Sequence, residues 1–128
     1  MQELNVKLAR WAGFIWHDYE VFETERYTRT DDPYWESPSG RKSRAVMHFT
    51  TNLNAIDKWL FPELLKRGFY IGIGAEKSGW ECWIFEGEPV EGDPFQEYKV
   101  KVLADTLALA ICKAIEQLIK EESCLSSK

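Results

Sequence analysis

The chain has 128 residues, 45% of them hydrophobic and 29% charged, and 16 Lys plus Arg against 21 Asp plus Glu leave a net charge of −5. That length suits one domain, which removes about two thirds of the extended chain's surface from water. The composition excludes a disordered chain, no apolar run approaches the ~18 residues of a membrane span, and the acidic balance disfavours duplex nucleic acid, which needs a basic footprint.

Residues 3–12 are expected to form a helix, with Leu4, Leu8, Trp11 and Ala12 on one stripe and Gly13 as a left-handed cap. Phe14 to Thr24 is rich in aromatic and β-branched residues and predicts one long strand. From Thr28 to about Val46, Asp-Pro, Ser-Pro and Ser-Gly punctuation predicts a long irregular loop. Thr51-Asn52 offers an N-cap for a second helix carrying Leu53, Ile56, Leu60 and Leu64, kinked at Pro62 and closed by Gly68. Two apolar runs around a Lys77-Ser78-Gly79 turn predict a hairpin, and a further strand follows from Gln96 to Leu103. Asp105 or Thr106 caps a last helix with Leu107, Ile111, Ile115, Leu118 and Ile119 on its stripe. The expected fold is α+β: a largely antiparallel sheet packed with three helices as a layered α/β/α sandwich. One domain is expected over residues 1–122, with a frayed tail over 123–128.

Met1–Lys7 has neither a basic flank nor a continuous apolar core, so no secretion signal is expected and a cytosolic setting is. Cys82, Cys112 and Cys124 are then expected as reduced thiols. There is no Cys-x-x-Cys pair, and His17 and His48 lie far from the cysteines in sequence, so neither a metal nor a cofactor is expected. Enzyme templates fail in turn. Gly72-x-Gly74 is not followed by Lys-Ser/Thr, and no Gly-x-Ser-x-Gly elbow exists. His17 and Asp18 are neighbours on a strand and point to opposite faces. The acidic run Glu86, Glu88, Glu91, Asp93 and Glu97 reads as a solvated turn.

Candidate ligand residues are few. Arg41, Lys42 and Arg44 put three cations in four residues beside Trp35 and Gly40; arginine forks suit phosphate and an indole can stack on a base. The alternative is a solvated loop. Trp80 opens a strand after a glycine turn, at a rim position where a ring is half exposed, whereas Trp83 reads as core. The helix start near Thr106 presents free N–H groups, with capping as the stronger reading. Arg10, Trp11 and Ala12, at the end of the first helix, are candidates for a second ligand pocket if helices from several chains converge.

Three stretches carry a resemblance: Leu8-Ala9-Arg10-Trp11-Ala12-Gly13-Phe14, Phe49 to Ala55 running into Lys58-Trp59-Leu60-Phe61-Pro62, and Ala104 to Ala114. With Trp80 to Trp83 and Tyr34-Trp35-x-x-Pro38-x-Gly40, they resemble the small phage proteins with an ABA-sandwich domain, and among these the anti-Thoeris sponge proteins. The resemblance implies a non-enzymatic protein that binds cyclic ADP-ribose signals, holds them without cleaving them, works in the host cytoplasm and assembles as a dimer or hexamer, with some members also taking cyclic oligonucleotides in a separate pocket. On that reading Trp35 or Trp80 stacks on the adenine and Arg41 and Arg44 hold the pyrophosphate. The alternative functions are a phage protein that blocks a host defence protein, or an accessory domain of another role.

Overall fold

The structure, a computed structural model, describes residues 2–18, 20–23, 28–87 and 98–126, with 20–23, 28–31 and 123–126 described by backbone alone. Helix α1 (Gln2–Trp11) ends where the sequence says it should. Gly13 takes φ +95°, its N–H donates to the Arg10 carbonyl and the Phe14 N–H donates to the Ala9 carbonyl. That pair of bonds is a Schellman cap, which a side chain at Gly13 would strain. Leu4, Leu8 and Ala9 are buried, and the buried Asn5 accepts from the Thr50 N–H through Oδ1 at 3.1 Å. This bond ties α1 to the 3₁₀ turn Phe49–Thr51.

The second helical body is α2 (Leu53–Ala55), a π-helical turn over Ile56–Leu60, and α3 (Phe61–Lys66). Asn52 caps it as expected, accepting from the Ala55 N–H at 3.2 Å. Pro62 produces the expected irregularity as a π turn. A proline here has no N–H for the Lys58 carbonyl and its ring crowds that oxygen, and the Phe61 N–H bonds Ile56 instead, five residues back. Gly68, at φ +85°, closes the body. Helix α4 (Leu107–Ser126) is capped by Thr106, whose Oγ1 accepts from the Leu109 N–H at 3.2 Å. Its backbone stays helical into the segment read as a tail, and 127–128 lie outside the described residues.

The α+β class stands, with antiparallel pairing throughout, but the strands do not make one sheet. The long Phe14–Thr24 strand is corrected to two, β1 (Ile15–His17) and β2 (Glu20–Glu23), which pair with β4 (Tyr34–Glu36) and β3 (Thr28–Asp31). Both ladders keep one register, so Asp18 falls opposite Pro33, which cannot donate to a ladder. The break therefore sits where the chain lacks a donor. The irregular loop expected over 28–46 is corrected as well, since it holds β3, β4 and β5 (Lys42–Ser43), the last paired with β4. A second three-stranded sheet joins β6 (Phe69–Glu76), β7 (Gly79–Glu86) and β8 (Val100–Ala104). The β6–β7 hairpin and its two-residue turn are as expected; β8 starts at Val100, and Gln96 and Glu97 lie outside the described residues, as do Glu88, Glu91 and Asp93 of the acidic run.

Helix α4 lies on β7 and β8 and against α1 and the 3₁₀ turn. Its Ile111, Ile115 and Leu118 join Leu8, Phe49, Ile56, Leu60, Leu64, Cys82 and Ile84 in one buried cluster. Cys82 and Cys112 are fully buried free thiols, and burial pushes each up to about 12, with the Cys82 charge adding to the rise at Cys112. In the unfolded chain a thiol ionises near 9. The unfolded state therefore loses protons first, and stability should fall as pH rises from about 9 towards about 12. Urea midpoints measured at pH 7 and pH 10 check this: the midpoint should be lower at pH 10, and Cys82→Ala/Cys112→Ala should lessen the drop.

Candidate functional site

The turn between β4 and β5 is built around Ser37. Its N–H donates to the Arg41 carbonyl at 2.8 Å, its Oγ accepts from the Arg41 N–H at 3.0 Å, and Gly40 supplies φ +87°. This turn sets Arg41 at one wall of a cleft of about 450 Å3. The volume lies in the range of small-molecule sites. Trp35, Ser43, Val46 and His48 continue that wall, while Asn52, Asn54, Ala55, Lys58 and Trp59 come from the second helical body. Phe14, delivered by the α1 cap, sits between them and meets Trp59 nearly edge-on at 5.1 Å and 75°.

Charge is the distinctive property of this cleft. Among the described residues it is lined by Arg41 and Lys58 and by no Asp or Glu, on a chain whose net charge is −5. Several other described cations are ion-paired: Arg44 with Asp32, Arg67 with Glu63, Lys99 with Glu86, Lys101 with Glu81, Lys7 and Lys120 with Glu116. Lys58 instead rests over the Trp59 indole, 5.0 Å from its centroid. Two indoles, a phenyl ring, two amides and two cations without a counter-charge suit an anionic ligand bearing a flat ring. The nearest thing to a carboxyl pair lies away from the cleft, where a hydrogen bond shared with Glu81 is the first cause that raises Glu76 above the usual carboxylate range.

The sequence-predicted residues part company here. Trp35 and Arg41 line the cleft together; Trp35 is 7% exposed, so one edge of its ring, not a free face, borders the cavity. Arg44 does not join them: it is 83% exposed and pairs with Asp32 at 3.0 Å. Lys42 points elsewhere again, 5.0 Å over the Tyr34 ring, which stacks on His17. Trp80 is on the other sheet, half-buried against the core, and Thr106 is occupied as the α4 cap. Trp80 thus keeps the half-buried rim place open to it, whereas Trp83, read as core, is also only half-buried and lies on the opposite face of β7. Trp80, Cys82 and Ile84 share the core side, and Trp83 lies across Gly72 and Gly74 of β6, where a Cβ at Gly74 would come within 2.9 Å of its ring.

Arg10, Trp11 and Ala12 are not among the residues that line this cleft. The Arg10 guanidinium is 6.0 Å from the Trp35 ring centroid, Trp11 lies under Arg67 at 4.7 Å, and Ala12 is buried. Lys58, Trp59, His48, Asn52 and Asn54 were not expected in the site. Pro62, four residues after Lys58, marks the irregular turn in the sequence but does not show which side chains face the cleft.

Among the described residues, no group of three or more His, Cys, Asp or Glu comes together to hold a metal, and no helix is long and apolar enough to cross a membrane. No family model matches the chain, and no curated protein and no solved structure matches it.

Proposed function

We propose that this is a phage anti-defence binding protein that captures a cyclic nucleotide signal in the cleft between the β4–β5 turn and the second helical body, and holds it without cleaving it. The ligand class is a cyclic ADP-ribose isomer, with cyclic oligonucleotides as a further class, and the setting is the host cytoplasm. The observation that carries this reading is the cleft's chemistry: aromatic walls and the cations Arg41 and Lys58, with no carboxylate among the described residues that line it. Charge-assisted hydrogen bonds hold a phosphate in such a place, and the Trp59 indole supplies the contact for a base. The resemblance read from the sequence points to the same ligand class.

The test is to incubate the protein with cyclic ADP-ribose isomers and cyclic oligonucleotides, remove free ligand, denature by heat and analyse what is released. Intact cyclic nucleotide is the expected product. A linearised or hydrolysed product makes the protein an enzyme, and an empty protein turns attention to blockade of a host defence protein. The same reading expects a homo-oligomer, as a dimer or hexamer. Exposed Ile15 and Trp16 on β1 leave apolar surface for a partner copy, and light scattering at micromolar concentration should return a mass well above one chain.

A further inference from the structure

We infer that the π-helical turn Ile56–Leu60 is the gripping element of the cleft, and that Lys58 and Trp59 are its specificity-determining residues, Lys58 taking a phosphate of the ligand and Trp59 its ring. The inference rests on the nucleotide reading above and adds to it which residues choose the ligand and how.

Its origin lies in one residue. Pro62 has no N–H for the Lys58 carbonyl, and the turn opens so that the Phe61 N–H reaches Ile56. Single π turns cost helix stability and recur at functional sites. The side chains this turn presents to the cleft are Lys58 and Trp59, next to Ala55. Trp59 is braced by the Phe14 ring, which meets it edge-on. The Lys58 ammonium rests over the Trp59 indole and has no carboxylate partner among the described residues. Trp59 is half-buried, and a cation held over such a ring by its quadrupole alone gains only a modest attraction. A phosphate offers it a stronger, charge-assisted bond. An incoming nucleotide thus draws the ammonium away and stacks its base on the face that is vacated. A ligand with a ring and no phosphate must displace the ammonium with nothing to offer it, and a phosphate alone leaves the indole unused. The pair therefore selects for both features in one molecule.

The experiment measures affinities of the full chain for cyclic ADP-ribose, adenosine and inorganic pyrophosphate, alongside melting temperatures, in wild type, Lys58→Ala, Lys58→Arg and Pro62→Ala. Lys58→Ala should weaken cyclic ADP-ribose about tenfold or more and leave adenosine unchanged or tighter, because the ring face is then clear. Lys58→Arg should restore most of the loss. Pro62→Ala lets the turn tighten, so its melting temperature should hold or rise while affinity for cyclic ADP-ribose falls. A general loss of structure would weaken every ligand and lower the melting temperature, which overturns the inference. Wild-type affinity for cyclic ADP-ribose in both Lys58→Ala and Pro62→Ala overturns it too, with the nucleotide reading intact. If wild type binds none of the three probes, that reading fails and takes the inference with it.

Discussion

Arg41→Glu should lower affinity for a cyclic ADP-ribose isomer on the order of 100-fold, while Arg44→Glu changes it little. The two arginines were indistinguishable in sequence, three residues apart in one basic cluster. The fold separates them. Arg41 lines the cleft with no carboxylate beside it among the described residues, so reversing its charge sets a carboxylate against the ligand's phosphate. Arg44 already spends its charge on Asp32 at the surface. Neither variant should move the melting temperature by much, because exposed charges contribute little to stability. Isothermal titration of both variants decides the matter, and equal losses in the two would place the phosphate contact outside this cleft.

The largest stability loss from a single methyl group is expected at Gly79→Ala. Gly79 opens β7 at φ +146°, and a Cβ there would run into the carbonyl of Ala104, at the end of the neighbouring strand and just before α4. Strained φ and a backbone collision each cost about 1–3 kcal/mol, so the sum is roughly 3 kcal/mol or more. For a domain of this size that is a fall in melting temperature of roughly 10 °C. Gly40→Ala is the control. Gly40 also has positive φ, at +87°, but nothing lies within 4 Å of its Cβ position. Its cost should stay near 1 kcal/mol, the conformational part alone. Similar melting temperatures for the two variants would show that the β7–β8 junction yields where the packing says it cannot.

Helix ends were legible in the sequence because they are local. Gly13, Asn52, Gly68 and Thr106 each do within a turn what their residue type does best, and the Lys77-Ser78 turn is equally self-contained. The β3, β4 and β5 strands were hidden because each is two to four residues long and lies amid Asp-Pro and Ser-Pro-Ser-Gly signals. Only their pairing partners make them strands, and pairing is not local. Trp83 was misplaced for a related reason. Bulky residues occupy both faces of β7, so alternation gives no inside; the deciding feature is the pair of glycines on β6 that makes room for Trp83. Of the site, Arg41 and Trp35 were legible as a cation and an indole in one irregular stretch. Lys58 and Trp59 were not, because they belong to a helix whose inward stripe is Ile56, Leu60 and Leu64, and the cleft face lies beside that stripe rather than on it.

The cleft has one property that reaches past recognition: its walls come from far apart along the chain. Phe14, the 35–48 stretch and the 52–59 helical body meet there and are otherwise joined through the core. A ligand bridging them acts as a removable crosslink, present only in the folded chain. At free ligand 100-fold above the dissociation constant it adds about 2.7 kcal/mol to stability. Filled and empty copies would then differ in lifetime as well as in content, since a protease that cleaves opened chains takes the empty ones first. Limited proteolysis with and without cyclic ADP-ribose should show that sorting directly, with the loaded protein outlasting the empty one. On the proposed function, the pool of this protein would accordingly drift towards copies already carrying ligand, and the amount retained would follow the amount of ligand supplied.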